Sequence, residues 1–312
     1  MRSQFRHAVR PARNGRTGDP LSDPAAHPAS AELGHAHRNP EVTTVDAIEL
    51  RSVTMTFPTR RGSPYTAVRE VDLAIPRGRF VSIVGPTGCG KSTVLNAVAG
   101  LLPPSAGEVR VHGEPLRGRN THAGYLFQQN ALLPWKTVVD NVAFGLQLRG
   151  VGKAERIEAA REWIDRVGLS GFGDSYPHQL SGGMRKRTAI AQTWIGDPDI
   201  LLMDEPFSAL DVQTRQLMEN ELLSLWTGSG KTVLFVTHDL DEAVSMSDEV
   251  VLLSAGPGSR LVGSYPVRLP RPRDLLEIRT DPAFTETYRA IWSDLRDEVM
   301  ASYDHGFARS EG

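Results

Sequence analysis

The sequence predicts an α/β fold built on a mainly parallel sheet, and three observations carry the prediction. Residues 80–84, Phe-Val-Ser-Ile-Val, form a nearly unbroken apolar run, as expected of a strand buried on both faces. Similar runs recur at residues 200–203, 233–237 and 250–253 with helix-like segments between them, the alternation of a parallel sheet and its covering helices. A glycine-rich turn joins the first run to a helix that starts at Lys91.

Taken in order, residues 1–46 read as a disordered tail. They carry Arg2, Arg6, Arg10, Arg13, Arg16 and five prolines but few large apolar side chains, too little to offset the entropy of ordering. The segment lacks the apolar stretch of a secretory signal. His27, His35 and His37 are scattered in it, and an unstructured tail explains them more simply than a metal site. From residue 47 the pattern turns strand-like: Ile48, Leu50, Val53 and Met55, then Val71, Leu73 and Ile75, alternate with polar residues. Residues 91 to about 101 read as a helix stopped by Pro103 and Pro104, and residues 108–112 before Gly113 as a hairpin arm. Residues 131 to about 169 read as helical, with Ile157, Ala160, Ile164 and Val167 on one face. After Pro266, Phe284, Tyr288, Ile291, Trp292 and Leu295 have helical spacing, and short helices are expected.

Composition excludes several classes. The 312 residues carry 35 basic and 37 acidic side chains, a net charge of -2, which is not the footprint of a general nucleic-acid binder. No apolar stretch reaches the roughly 18 residues of a membrane span. A single cysteine, Cys89, precludes an intrachain disulfide and a multi-cysteine metal site.

The chemistry concentrates in a few motifs. Gly85-Pro86-Thr87-Gly88-Cys89-Gly90-Lys91-Ser92 fits the phosphate-binding loop GxxxxGK[ST], placed between a buried strand and a helix. Its glycines let successive N–H groups wrap a polyphosphate, and the helix N-terminus adds partial positive charge. Lys91 reaches the β- and γ-phosphates in this reading and Ser92 a Mg²⁺ ion. Cys89 reads as a small loop residue rather than a nucleophile, since no histidine partner is identifiable nearby. The run at 200–203 ends in Asp204 and Glu205, at the strand end where open parallel sheets bind ligands. Asp204 suits a metal, and Glu205 a general base for an attacking water. Leu180-Ser181-Gly182-Gly183-Met184 opens a helix and offers an anion site.

Together these motifs resemble the ATP-binding subunits of ABC transporters, over roughly residues 47–266. Phe57 matches the aromatic that stacks on adenine, residues 85–92 with Thr93 the Walker A loop, and Gln128 the Q-loop glutamine that contacts Mg²⁺ and senses the membrane partner. Residues 180–184 match the signature, Asp204 and Glu205 Walker B and the catalytic base. Asp211, in Ser208-Ala-Leu-Asp211, matches the D-loop, and His238 the switch histidine at the γ-phosphate. Met184 stands where many members have Gln, and Gln192 where an Arg is common; Met184 also occurs in the nitrate, sulfonate and taurine importer branch.

The resemblance implies a P-loop NTPase core with a mainly parallel sheet, an antiparallel β-subdomain, an inserted helical subdomain at about 129–181 and a short helical tail at 267–312. It implies ATP and Mg²⁺, with Lys91, Gln128, Glu205 and His238 catalytic and Ser92, Gln128 and Asp204 at the metal. Ser181, Gly182, Gly183 and Asp211 would complete the site of a second subunit in a head-to-tail dimer. Transmembrane permease subunits at the cytoplasmic face of the membrane are the implied partners, and a solute-binding protein acts indirectly. Trp135 is either a permease contact or packed inside the helical subdomain. Residues 254–258, Ser-Ala-Gly-Pro-Gly, and 270–273, Pro-Arg-Pro-Arg, are similar to importers of nitrate, sulfonates, taurine and bicarbonate. The competing reading is a soluble ABC ATPase acting in cluster assembly or another non-transport complex. A GTPase is disfavoured because no NKxD motif is present.

Overall fold

Two sheets with the helix between them place the nucleotide loop and the acidic strand end, and a helical layer carries the signature. A computed structural model describes residues 45–59, 62–129, 131–275 and 277–310. The expected tail up to residue 44, with His27, His35 and His37, lies outside the described residues.

The first sheet is antiparallel. Its strands β1 (Ile48–Phe57), β2 (Tyr65–Ile75), β4 (Ala106–Val111) and β5 (Glu114–Pro115) are ordered β2-β1-β4-β5. The second contains β3 (Phe80–Val84), β6 (Ala123–Leu126), β7 (Ile200–Asp204), β8 (Thr232–Val236), β9 (Glu249–Leu253) and β10 (Leu261–Pro266). Its order is β10-β9-β3-β8-β7-β6, all pairs parallel except β9 with β10.

The period of two along each central strand divides the core. Val81, Ile83, Ile200, Leu202, Leu234, Val236, Val251 and Leu253 face helix α1 (Lys91–Val98) and the antiparallel sheet. Phe80, Leu201, Met203, Val233 and Phe235 face the helical layer. That layer holds α2 (Val138–Val142), α3 (Phe144–Leu148), α4 (Lys153–Arg166) and α5 (Gly182–Trp194), with α6 (Val212–Trp226) beside them. Under β9 and β10, α7 (Leu240–Met246) meets Phe284, Ile291 and Leu295 of α8 (Pro282–Ser310). Fully burying one such large apolar side chain is worth roughly 1.5–3 kcal/mol, so the two-sided burial of these strands dominates the stability.

The structure corrects three expectations. Residues 131–137 are not helical: the helix starts only at α2, where the Thr137 side chain caps it by accepting from the Asp140 amide. Pro134 disfavours helical geometry just before it. The helical layer runs past residue 181, because α5 packs against α2 and α4. After a short 3-10 turn at Ile278–Thr280 the C-terminal segment forms one 29-residue helix where only short ones were expected, since no Pro or Gly lies between Ala283 and Tyr303 to interrupt it. Trp292 is 48% exposed and stands off its apolar face. The 270–273 motif has a structural task. Arg273 donates to the Ser245, Ser247 and Leu269 carbonyls, and Arg271 to Asp248 and Met246 O while lying over the Trp226 ring.

Candidate functional site

The cleft forms where β3 turns into α1. Gly85 has φ +155°, and a Cβ there would stand 2.8 Å from Leu253 O. Gly90 has φ +99°, and a Cβ there would stand 2.6 Å from a Val68 methyl. Both positions therefore require glycine for the chain to wrap as it does. Lys91, 6% exposed, is held over the loop by the carbonyls of Gly85 (2.9 Å) and Pro86 (3.1 Å). A buried ammonium ringed by carbonyls at a helix N-terminus is suited to a polyphosphate. Cys89 is fully buried, and burial raises its thiol pKa, so it is a packing residue of the loop rather than a nucleophile.

The cleft is lined by Phe57, Tyr65, Ala67, Thr87, Gly88, Gly90, Lys91, Ser92, Thr93 and Glu205, and its volume is about 300 Å³. That is the lower end of the roughly 300–1,000 Å³ of small-molecule sites. Tyr65 is an addition that sequence reasoning missed. It pairs with Phe57 across the β1–β2 hairpin, so the two rings share one wall, and only the strand register reveals this.

Carboxylates from β7 meet the loop. Ser92 Oγ donates to Asp204 Oδ1 at 2.8 Å, and the Tyr125 hydroxyl to Asp204 Oδ2 at 3.4 Å. Burial raises the Asp204 pKa, with the neighbouring Glu205 charge adding to it and the Ser92 hydrogen bond opposing. A hydroxyl and a carboxylate oxygen side by side are the hard donors that Mg²⁺ takes, so this pair fits that ion. Glu205 has φ +40°, a left-handed conformation that a non-glycine residue adopts only under constraint. Its amide donates to Val236 O (2.8 Å), which fixes it against β8. Its carboxylate oxygen Oε2 is approached by His238 Nδ1 at 3.0 Å and by Gln128 Nε2 at 3.3 Å. Gln128 and His238, expected at a metal and at a phosphate, thus both converge on Glu205.

The signature residues and Asp211 do not line this cleft. Ser181 caps α5 by accepting from the Met184 amide, and Asp211 caps α6 by accepting from the Thr214 amide. That second bond holds the Asp211 carboxyl below the usual range. Gly182 and Gly183 sit against Leu210 and Thr214, so signature and D-loop adjoin each other.

Two further residues went unread in the sequence. Lys186 is buried on α5 and donates to the carbonyls of Phe127 (3.2 Å) and Gln128 (3.3 Å), linking the signature helix to the chain leaving β6. Burial lowers its pKa to about 8. The signal was its spacing, three and four residues before the buried Ala189 and Ile190. Asn141, fully buried, donates to the carbonyls of Leu133, Lys136 and Thr137 and accepts from the Leu133 amide. It thereby braces the loop that carries Trp135, which is 72% exposed and not packed inside the helical layer. Beside that loop lies a groove lined in part by Phe127, Gln129, Ala131, Phe144, Arg149 and Gln192. Met184 packs against the helical core.

Comparison with known proteins agrees with this geometry. Residues 68–208 match the ABC transporter family. An uncharacterized ABC transporter ATP-binding protein, MJ0412 of Methanocaldococcus jannaschii, is 48% identical over 241 residues, 77% of this chain and 88% of that protein. The taurine import ATP-binding protein TauB of Yersinia pestis is 44% identical over 227 residues, 72% of this chain and 88% of that one. Among solved structures, the ATP-binding cassette MJ0796, a dimer in a post-hydrolysis state bound to ADP and Pi, is 32% identical with a TM-score of 0.64. The match covers 72% of this chain and all of that one. Among the described residues no helix is long and apolar enough to cross a membrane. With the nucleotide loop, acidic strand end and signature helix all in the family's order, this chain belongs to the ATP-binding ATPases of the ABC transporter family.

Proposed function

We propose that this chain is the ATP-hydrolysing subunit of an importer for a small solute of the taurine, sulfonate or nitrate type. It acts as a pair of identical copies beneath transmembrane permease subunits at the cytoplasmic face of the membrane. The observation that carries the reading is the division within one chain. Lys91, Ser92 and Glu205 line one cleft and Asp204, Gln128 and His238 contact them, while Ser181, Gly182, Gly183 and Asp211 do not line it and are bonded or packed elsewhere. Two copies placed head to tail would give each cleft the signature residues of the other. The 44% identity to taurine import proteins supports the importer reading, and the solute is selected elsewhere, by the permease and its binding protein.

In this reading Phe57 and Tyr65 flank the adenine and residues 85–93 cradle the phosphates. Glu205 accepts the proton of the water that attacks the γ-phosphate, and ADP leaves as phosphate is released. His238 and Gln128 orient Glu205, and with Lys91 they stabilise the charge that develops. Ser92, Asp204 and Gln128 would hold Mg²⁺, which when bound neutralises charge on the β- and γ-phosphates. The groove beside Phe127 and the exposed Trp135 would receive the permease, and Lys186 would carry its movement to the signature helix.

The test is to extract tagged Glu205→Gln chains gently from native membranes with ATP and identify what copurifies. A multi-span permease and an ATP-dependent pair of copies are the expected result. A soluble partner without a permease would overturn the importer reading in favour of cluster assembly.

A further inference from the structure

At the far end of the parallel strands from the cleft, three ligating side chains from separate segments converge. His112 directly follows β4, His122 directly precedes β6, and Asp199 directly precedes β7. His122 Nδ1 is 3.2 Å and His112 Nε2 is 3.5 Å from Asp199 Oδ2. The imidazole rings meet edge to face with centroids 5.0 Å apart, and ligand atoms of all three residues lie within 4.8 Å of one another. Donors about 2.0–2.1 Å from a tetrahedral zinc stand roughly 3.3 Å apart, so two edges of the set already have that spacing.

The backbone that carries them is fixed. The His122 amide donates to Asn120 Oδ1 (3.0 Å) and its carbonyl accepts from the Ile200 amide (3.1 Å). The buried Asn120 is itself anchored to Val98 O (3.1 Å). His112 has φ +51°, a left-handed conformation, and its amide donates to Ala47 O. His112 Nδ1 is buried without a hydrogen-bond partner, and its buried Nε2 has only the Asp199 carboxylate at 3.5 Å, short of a good hydrogen bond, which is a costly arrangement for an imidazole.

We propose that His112, His122 and Asp199 bind one divalent transition-metal cation, zinc by the chemistry of the donors, and that it clips the β4–β5 hairpin to the parallel sheet. Two imidazoles and one carboxylate suit zinc rather than magnesium or calcium. Three protein ligands leave a fourth position for water, so the ion is exchangeable and the fold does not require it. The site is remote from hydrolysis: the five residue steps from Asp199 to Asp204 span roughly 16 Å of strand. Its effect is on the antiparallel sheet, because β4 pairs with β1, whose other end supplies Phe57 to the cleft.

The test is calorimetric titration of zinc alone into the metal-free full-length chain, paired with thermal melting. His122 and Asp199 are both exposed on more than half of their side-chain surface, so they are the positions to vary. Wild type is expected to bind one zinc and to melt several degrees higher with it. His122→Ala and Asp199→Asn should weaken binding at least tenfold and lose the melting shift, with unchanged melting in metal-free buffer. A chain with His27, His35 and His37 all replaced by Ala should bind as wild type does. Absent binding in wild type, unchanged binding in His122→Ala, or loss in the triple variant would each overturn the proposal.

Discussion

The cleft end and the signature end of this chain use the same local device to different effect. At both, a loop runs into a helix N-terminus with small residues and hydroxyls at the turn. At the cleft, the groups around the helix start are convergent: Ser92 bonds Asp204, Lys91 spans the loop, and Gln128 and His238 meet on Glu205. At the signature, Ser181 and Asp211 are bonded to the amides of their own helices, and among the described residues no acid or base of the cleft joins them. A helix N-terminus becomes a reaction site only where the fold brings other strands' ends to it. The signature end has a capped helix start without convergent acids or bases, as expected if, in the proposed head-to-tail pair, it serves a neighbour's nucleotide.

The largest expected effect breaks the cleft end. Glu205→Gln keeps the shape and removes the base. Turnover should fall at least about 100-fold while ATP still binds, measured by phosphate release and by ATP-dependent change in mass. Lys186→Met probes the link between the two ends. It leaves the Phe127 and Gln128 carbonyls without their cationic donor, a loss on the order of 1.5–3 kcal/mol of hydrogen bonding. The ATPase rate should drop about tenfold with the melting temperature lowered only modestly. Tyr65→Ala sharpens the description of the cleft wall. Losing one aromatic contact of about 0.5–1.5 kcal/mol should raise the Kd for ATP by roughly fivefold and leave the rate at saturation unchanged.

The smallest effect lies behind the D-loop, on α6. Glu219 is 1% exposed, and burial, reinforced by the Glu242 charge, pushes its pKa up to about 8 from the ordinary 4.5. The folded state therefore holds the protonated form, and stability is lost as pH rises from about 4.5 to about 8. Glu219→Gln should raise the melting temperature at pH 8.5 by a few degrees and change it little at pH 5, read by differential scanning calorimetry.

Some of this was legible in the sequence for a physical reason. Strands β3, β7, β8 and β9 are buried on both faces, so they appear as apolar runs, and the phosphate loop demands glycines at fixed spacing. The edge strands β6 and β10 were not read. Gly124 lies in β6, where Thr193 and Pro198 leave no room for a side chain, and Gly263 interrupts β10, so neither forms an apolar run. Tyr65, Lys186 and Asn141 act through partners that only the folded chain brings near: a strand register, two carbonyls about 58 residues away, and a loop that turns back. His112, His122 and Asp199 are in the same position, since Asp199 lies 77 residues beyond His122.

The central claim is that each cleft is completed by the signature of a second copy, and mixing tests it most directly. Lys91→Ala chains lack the cleft function. Gly182→Glu chains place a negative charge in the signature at a position where a Cβ meets only ordinary contact with Leu210. Each variant alone should be inactive. Mixed one to one in their permease-bound complexes, some pairs will join the intact cleft of one chain to the intact signature of the other. A partial recovery of ATP hydrolysis in the mixture is expected. No recovery, with mixed pairs demonstrably formed, would mean that cleft and signature act within one chain and would contradict the claim.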